Sequence, residues 1–315
     1  MSDSAAQHRD VERKALALGK WANLFMAFAG IATAWASRSD AMLVDGLYSA
    51  VNFVSAIAAA RIGARVGLPP TRKRPWGHDF DEVLYVTFRS LILIGVLVFA
   101  AVVSGSKIWT FFSGGSVPEL IFGPIAIYAV VIVLICLGLA FNFHRAYRKT
   151  GKRSAILKTE ARAALIDGAL SLGSGAALLS LPFLKGTVLA PYVPIGDAVI
   201  VLILILAIIW QPLSSFRTTL ADLAGVSAPS GTHAKVARAA RALAREKQFR
   251  FHRAAVLQAG RMHWVVVYLD PERPIEARAV DDFRDMLAAR LEDTVGPVRV
   301  EIVITASDGL SPSSG

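Results

Sequence analysis

Cysteine is nearly missing: Cys136 is the single one in 315 residues. No disulfide can form within the chain, and no thiolate cluster can hold a metal. Charge is scarce as well, at 18% of residues, where a soluble domain carries about 25%. With 54% hydrophobic residues and a mean hydropathy of +0.50, a wholly soluble chain is excluded. Residues 1–14 are polar and charged, and the first apolar stretch lacks a short hydrophobic region with a small-residue cleavage site, so no cleavable signal is read there. The usual zincin, kinase and hydrolase patterns are missing too, so an enzyme is not expected.

Long apolar runs are abundant, among them Ile121–Leu139 and Val199–Trp210. Six membrane spans are expected, at 19–37, 41–62, 83–106, 118–143, 162–183 and 191–213. The second is Ala-rich and the weakest. Arg38 and Asp40 on one side and Arg61 and Arg65 on the other bracket it at a bilayer's thickness of helix.

The net charge of +10 is uneven: 21 Lys/Arg against 13 Asp/Glu in residues 1–224, and 13 against 11 in 225–315. The surplus sits in the loops between spans, so it reports topology rather than a nucleic-acid partner. The loop after span 2 holds Arg65, Arg72, Lys73 and Arg74, and that after span 4 holds Arg145, Arg148, Lys149, Lys152 and Arg153. The positive-inside rule places these loops and both termini in the cytoplasm of a cell-membrane protein.

The organisation expected is a cytoplasmic segment 1–18, a six-helix region 19–217, a linker 218–231, a cytoplasmic domain 232–306 and a disordered tail 307–315. Ser227-Ala-Pro-Ser-Gly231 reads as the linker. Helical periodicity at 233–247 and 275–292, with strand patterns at 250–258, 261–269 and Val298–Thr305, gives helix–strand–strand–helix–strand. That order makes a small α+β layer, ferredoxin-like in outline, with a hairpin through Gly260.

Two spans carry aspartate in matching surroundings: Leu43-Val-Asp-Gly-Leu-Tyr-Ser49 and Leu165-Ile-Asp-Gly-Ala-Leu-Ser171. The two segments have opposite membrane orientation, as in the internal repeats of secondary transporters. An ionised carboxylate within a span costs several kcal/mol and needs a partner, a proton or a water-filled cavity. Asp45 shares a helix face with Ser49 and Asn52, and Asp167 with Ser171 and Ser174. Two such stripes facing one another make a hydrophilic path.

The six spans, the basic loops, the tail order and Trp76-Gly-His-Asp-Phe-Asp-Glu82 resemble the cation diffusion facilitators, a family of divalent metal/proton antiporters. The resemblance covers residues 12 to 305. It implies a homodimer in a lipid bilayer that exports a divalent metal ion in exchange for protons, with no permanently bound cofactor. The family's transport site takes four Asp/His ligands from spans 2 and 5, in the pattern Asp-x-x-[His/Asp]-x-x-x-Asp. Here Tyr48 and Asn52 follow Asp45 at the ligand positions, and Leu170 and Ser174 follow Asp167. The usual zinc site is therefore absent.

The oxygens of Asp45, Ser49, Asn52, Asp167, Ser171 and Ser174 are hard donors, with nothing soft to select zinc. In the family register the two carboxylates lie roughly 15 Å apart along the membrane normal, too far for one ion to bridge. Three readings stay open: transport of a harder cation, sequential use of the two aspartates, or loss of transport, leaving a structural or regulatory partner of the same fold.

Each candidate has a plainer reading. Arg89 sits at Asp167's depth and can neutralise it. Asp197 reads as an interfacial or capping carboxylate. His78 and Glu82 are either a proton or metal relay or, for Glu82, a cap of span 3, and Arg72, Lys73 and Arg74 beside them repel cations. His233, His252 and His263 stand where family members bind regulatory metal, but lack close-spaced pairing, and Asp270 and Asp308 would complete a site only if the fold gathers them. Tyr48 reads as packing, and Gly168, Gly173 and Gly175 as close helix contacts.

Overall fold

The computed structural model describes residues 2–63, 71–72, 77–149, 155–260 and 262–306. Arg65, Lys73, Arg74, Trp76, Lys152, Arg153 and the tail 307–315 with Asp308 lie outside them. The helices are α1 (Ser2–Ser37), α2 (Asp40–Gly63), α3 (Asp79–Phe112), α4 (Phe122–Lys149), α5 (Ala155–Ser180), α6 (Gly196–Ile208), α7 (Trp210–Leu223), α8 (Ser230–Glu246) and α9 (Ala277–Val295). The strands are β1 (Arg250–Ala259), β2 (Met262–Asp270) and β3 (Val298–Ile304). Two 3-10 stretches, Leu181–Gly186 and Ala190–Ile195, join α5 to α6.

Six helical segments are long and apolar enough to cross a membrane: Val11–Ser37, Asp40–Ile62, Phe80–Phe112, Phe122–Lys149, Glu160–Leu184 and Ala190–Leu223. They are the six expected spans, with differences at the ends. Residues 2–18, expected as a separate segment, continue α1. The fourth span starts at Phe122 rather than 118, because the Ile121 amide donates to the Ser37 carbonyl at the end of α1. Residues 218–223, expected in the linker, are the last turns of α7. Between α6 and α7 the helix breaks at Ile209, three residues before Pro212, whose ring nitrogen cannot donate to the Ile208 carbonyl.

The chain divides into two compact units, one of residues 1–60 and 89–213, the other of 61–88 and 214–315. In the first, α4 is the central helix. Ile125, Tyr128, Ile132, Cys136, Leu139, Phe143 and Ala146 recur at three- and four-residue spacing and are all buried. Small residues let the neighbours close in. A methyl built on Gly168 would meet the Cys136 Cβ at 3.0 Å, and one on Gly175 the Ala129 Cβ at 2.7 Å, whereas Gly173 faces open space. At the α1–α2 crossing, a Cβ on Gly30 would stand 2.6 Å from the Gly46 Cα.

The surface of this unit is inverted relative to a soluble protein, with Phe28, Val102, Ile127, Phe141 and Leu206 exposed to the bilayer. At the end away from the basic loops, Phe111, Phe112 and Tyr192 cluster with ring centroids 5.4–6.5 Å apart, and Trp35 is 89% exposed. Amphipathic rings favour that interfacial depth.

Asp197 organises the same end. Its side chain is fully buried, accepting hydrogen bonds from Ser39 Oγ at 2.9 Å and from the Asp40 and Ala41 amides at 2.6 and 3.3 Å. The first turn of α2 is thus capped by a carboxylate from α6. Lys107 Nζ lies 3.5 Å from Asp197 and 3.2 Å from Asp40, which offsets one of the two negative charges. Asp197 is thus a cap, of α2 rather than of the span that carries it.

In the second unit α8 and α9 cover one face of a three-stranded mixed sheet, ordered β1-β2-β3. β1 and β2 form the expected hairpin through Gly260, whose φ of 62° suits glycine. β3 runs parallel to β2 after the α9 crossover. Val236, Leu243, Phe283, Leu287 and Leu291 pack on Val256, Val265, Val267 and Leu269. On the opposite face Trp264 has the Phe80 ring at 6.5 Å and the Arg299 guanidinium at 4.7 Å. The stretch after α7 is tied down rather than loose: the Ala228 amide donates to the Val256 carbonyl, and Ser227 bridges Leu257. Arg290 donates to Glu246 at 2.8 Å, linking α9 to α8 and holding that exposed carboxyl below its usual range.

Candidate transport site

The polar stripe of α2 lies on one face because Asp45, Ser49 and Asn52 are spaced four and three residues apart. Its two ends are held differently. Asp45 Oδ2 accepts a 2.6 Å hydrogen bond from the Tyr128 hydroxyl of α4. Tyr128 is 4% exposed, so this is an acid–phenol pair inside the helix bundle. Seven residues further along, about 10 Å on the helix axis, Asn52 Oδ1 accepts a hydrogen bond from Arg89 Nη2 of α3 at 3.0 Å. Ser49 lies between them and is buried.

Asp167 of α5 completes the set of charges. It lies within the electrostatic range of Asp45, Glu160 and Arg89, and Tyr48 lies within that of Asp167 and Arg89. Cys136 of α4 faces both aspartates electrostatically. No hydrogen bond or ion pair joins Asp167 to Asp45 or to Arg89 among the described residues. The plainer reading, an Arg89–Asp167 ion pair, is thus not formed, and Arg89 contacts Asn52 instead. The two aspartates remain on separate helices but sense one another's charge. Ser171 is half-buried, and Ser174 Oγ donates to the Ser171 carbonyl at 3.2 Å, which turns its proton back onto its own helix.

Tyr128 and the Asn52 contact of Arg89 were not foreseen. A lone phenol in the apolar run of α4 is the one available signal, since a polar group at that depth needs a partner. No group of three or more His, Cys, Asp or Glu side chains is placed to hold a metal among the described residues. What α2, α4 and α5 offer a cation is two carboxylates, hydroxyls from Ser49 and Ser171, an amide and a phenol, all hard oxygens.

In the second unit His78 Nδ1 stands 3.0 Å from Asp81 Oδ2, one turn on at the start of α3, and Glu82 lies beside Gly260 of the hairpin. His233 Nε2 is 3.0 Å from the Ala254 carbonyl. His252 sits in the ladder irregularity between Phe251 and Arg253, and His263 pairs with Gln258. Six residues of strand, about 20 Å, separate those positions. The three histidines are not gathered into one site, and Asp270, opposite Arg250, is at the far end of the hairpin from His263.

Comparison with known proteins adds two findings. Residues 16–224 match the family model described as the cation efflux transmembrane domain. Manganese efflux system protein MneP of Bacillus subtilis (strain 168) is 25% identical over 153 residues, which cover 49% of this chain and 49% of that protein. The chain thus spans about half the length of the curated relative it matches.

Proposed function

The chain belongs to the cation efflux family, and from that premise we propose that it is a divalent metal cation/proton antiporter exporting metal from the cytoplasm by alternating access. The observation that carries this reading is the Asp45–Tyr128 pair, a carboxylate held inside the bundle by a phenol and within electrostatic range of Asp167 on α5. A carboxylate at such depth is costly without a partner, a proton or a water-filled cavity, and so supports a functional reading.

Asp45 binds the ion or exchanges its proton, and Ser49, Asn52, Ser171 and Ser174 supply neutral oxygens in turn along the path. Asp167 serves the half of the path nearer the basic loops. A protonated aspartate is cheaper in a bilayer than an ionised one, so proton and metal occupancy exclude each other at one group. Manganese is the first ion to test, because the donors are hard oxygens and the relative's name states manganese efflux. The protein works as a homodimer in the cell membrane, with both termini cytoplasmic. His78 and Glu82 serve as a proton or metal relay, and the cytoplasmic-domain histidines are secondary.

The test is counter-transport in proteoliposomes loaded with a pH dye, with Mn, Fe, Co, Zn, Cd, Mg and Ca supplied in turn. One ion should drive proton movement, and Asp45→Asn, still folded and dimeric, should reduce it to the rate of empty liposomes. A second reading, a non-transporting structural partner, draws on the guanidinium standing at Asn52. Silence with every ion under an imposed proton gradient would select it.

A further inference from the structure

Arg89 is a half-buried charge whose bonding does not match that of a structural ion pair. Its Nη2 donates to Asn52, its Nε is buried without a hydrogen-bond partner, and no carboxylate forms an ion pair with it among the described residues. A guanidinium placed to neutralise Asp167 would take a bidentate carboxylate contact, the arrangement its fork favours. Instead it reaches across to α2 and occupies an oxygen of the stripe that Asp45 and Ser49 share.

The geometry points to Arg89 as a tethered cation that stands in the cargo's place at Asn52, and that an incoming ion must displace. This rests on the transport reading given above and makes Arg89 its specificity-determining residue. Two carboxylates without any cation would repel one another in a low-dielectric bundle. One arginine lowers that repulsion permanently, because it does not lose its proton in a protein.

Displacement then sorts cargo by charge. A monovalent ion that replaces the guanidinium exchanges one unit charge for another and leaves a half-buried arginine without its acceptor, so it gains nothing. A divalent ion brings twice the charge into the field of Asp45 and Asp167, without bridging them, and offsets the loss of the Asn52 bond. The site is in this way closed to sodium and potassium without a pocket shaped to refuse them.

The experiment reads binding, not transport. Detergent-purified protein is titrated with Mn2+, and free Mn2+ is followed by its electron paramagnetic resonance signal. Sodium is exchanged for N-methylglucamine at constant ionic strength. Wild-type Mn2+ affinity should be indifferent to sodium. Arg89→Gln should bind Mn2+ about tenfold tighter in the absence of sodium, and sodium should then compete with it. Arg89→Lys, which keeps the charge, should behave as wild type. Wild-type binding that sodium weakens tenfold overturns the inference with no variant needed, and so does Arg89→Gln binding no tighter than wild type. If neither wild type nor Arg89→Gln binds any divalent ion, the transport site itself is wrong, and Arg89 loses its role with it.

Discussion

At the scale of single residues, the acid–phenol pair is the arrangement with the sharpest consequence. Tyr128→Phe removes the donor to Asp45 and leaves the aromatic packing of α4 in place. The loss should cost about 1–3 kcal/mol, the penalty for a buried polar group deprived of its partner. Thermal unfolding in detergent checks this, and an unshifted transition would mean that Asp45 draws its stabilisation from elsewhere. The pair also marks where reading a sequence stops. Asp45 and Asp167 stood out because a carboxylate in an apolar run is expensive wherever it lies. Their partners did not, because helix rotation and neighbour identity are set by packing across 83 residues between Asp45 and Tyr128. Arg89 was weighed against Asp167 by depth alone, and depth cannot tell a neighbour on α5 from one on α2.

At the scale of elements, the close approach of α1 and α2 decides where the stripe can sit. Gly30 and Gly46 meet without side chains, and a Cβ on Gly46 would stand 2.8 Å from the Ile31 amide nitrogen. Gly46→Ala should therefore force the two helices apart, costing about 1–3 kcal/mol by overpacking. The same unfolding measurement reads it, with Gly173→Ala as the control, since that position faces open space. A cost at Gly173 equal to that at Gly46 would deny that the crossing is tight. The element boundaries were legible for clear reasons. Apolar runs of bilayer length and period-two alternation in β1, β2 and β3 need no tertiary information. The extension of α1 to Ser2 and of α7 to Leu223 was less visible, because polar residues continue a helix beyond the apolar run without any signal in hydropathy.

For the whole molecule, the distribution of charge and apolar surface carries the proposed orientation. Arg145, Arg148 and Lys149 end or follow α4's apolar run, while the aromatic cluster of Phe111, Phe112 and Tyr192 sits at the opposite end of the bundle. By the positive-inside rule, a reporter active only in the cytoplasm should work when fused to either terminus and fail in the α3–α4 connection. Activity in that connection instead would invert the assignment and turn export into uptake.

Asp197 carries a consequence for how the protein is made. It caps the first turn of α2 from 157 residues further along the chain. Synthesis runs from the N-terminus, so α2 enters the bilayer long before its cap exists. Until the sixth span is delivered, the Asp40 and Ala41 amides and the Lys107 ammonium have no buried carboxylate to meet. The nascent five-span intermediate is thus open at one end, and arrival of the last span is the event that seals it.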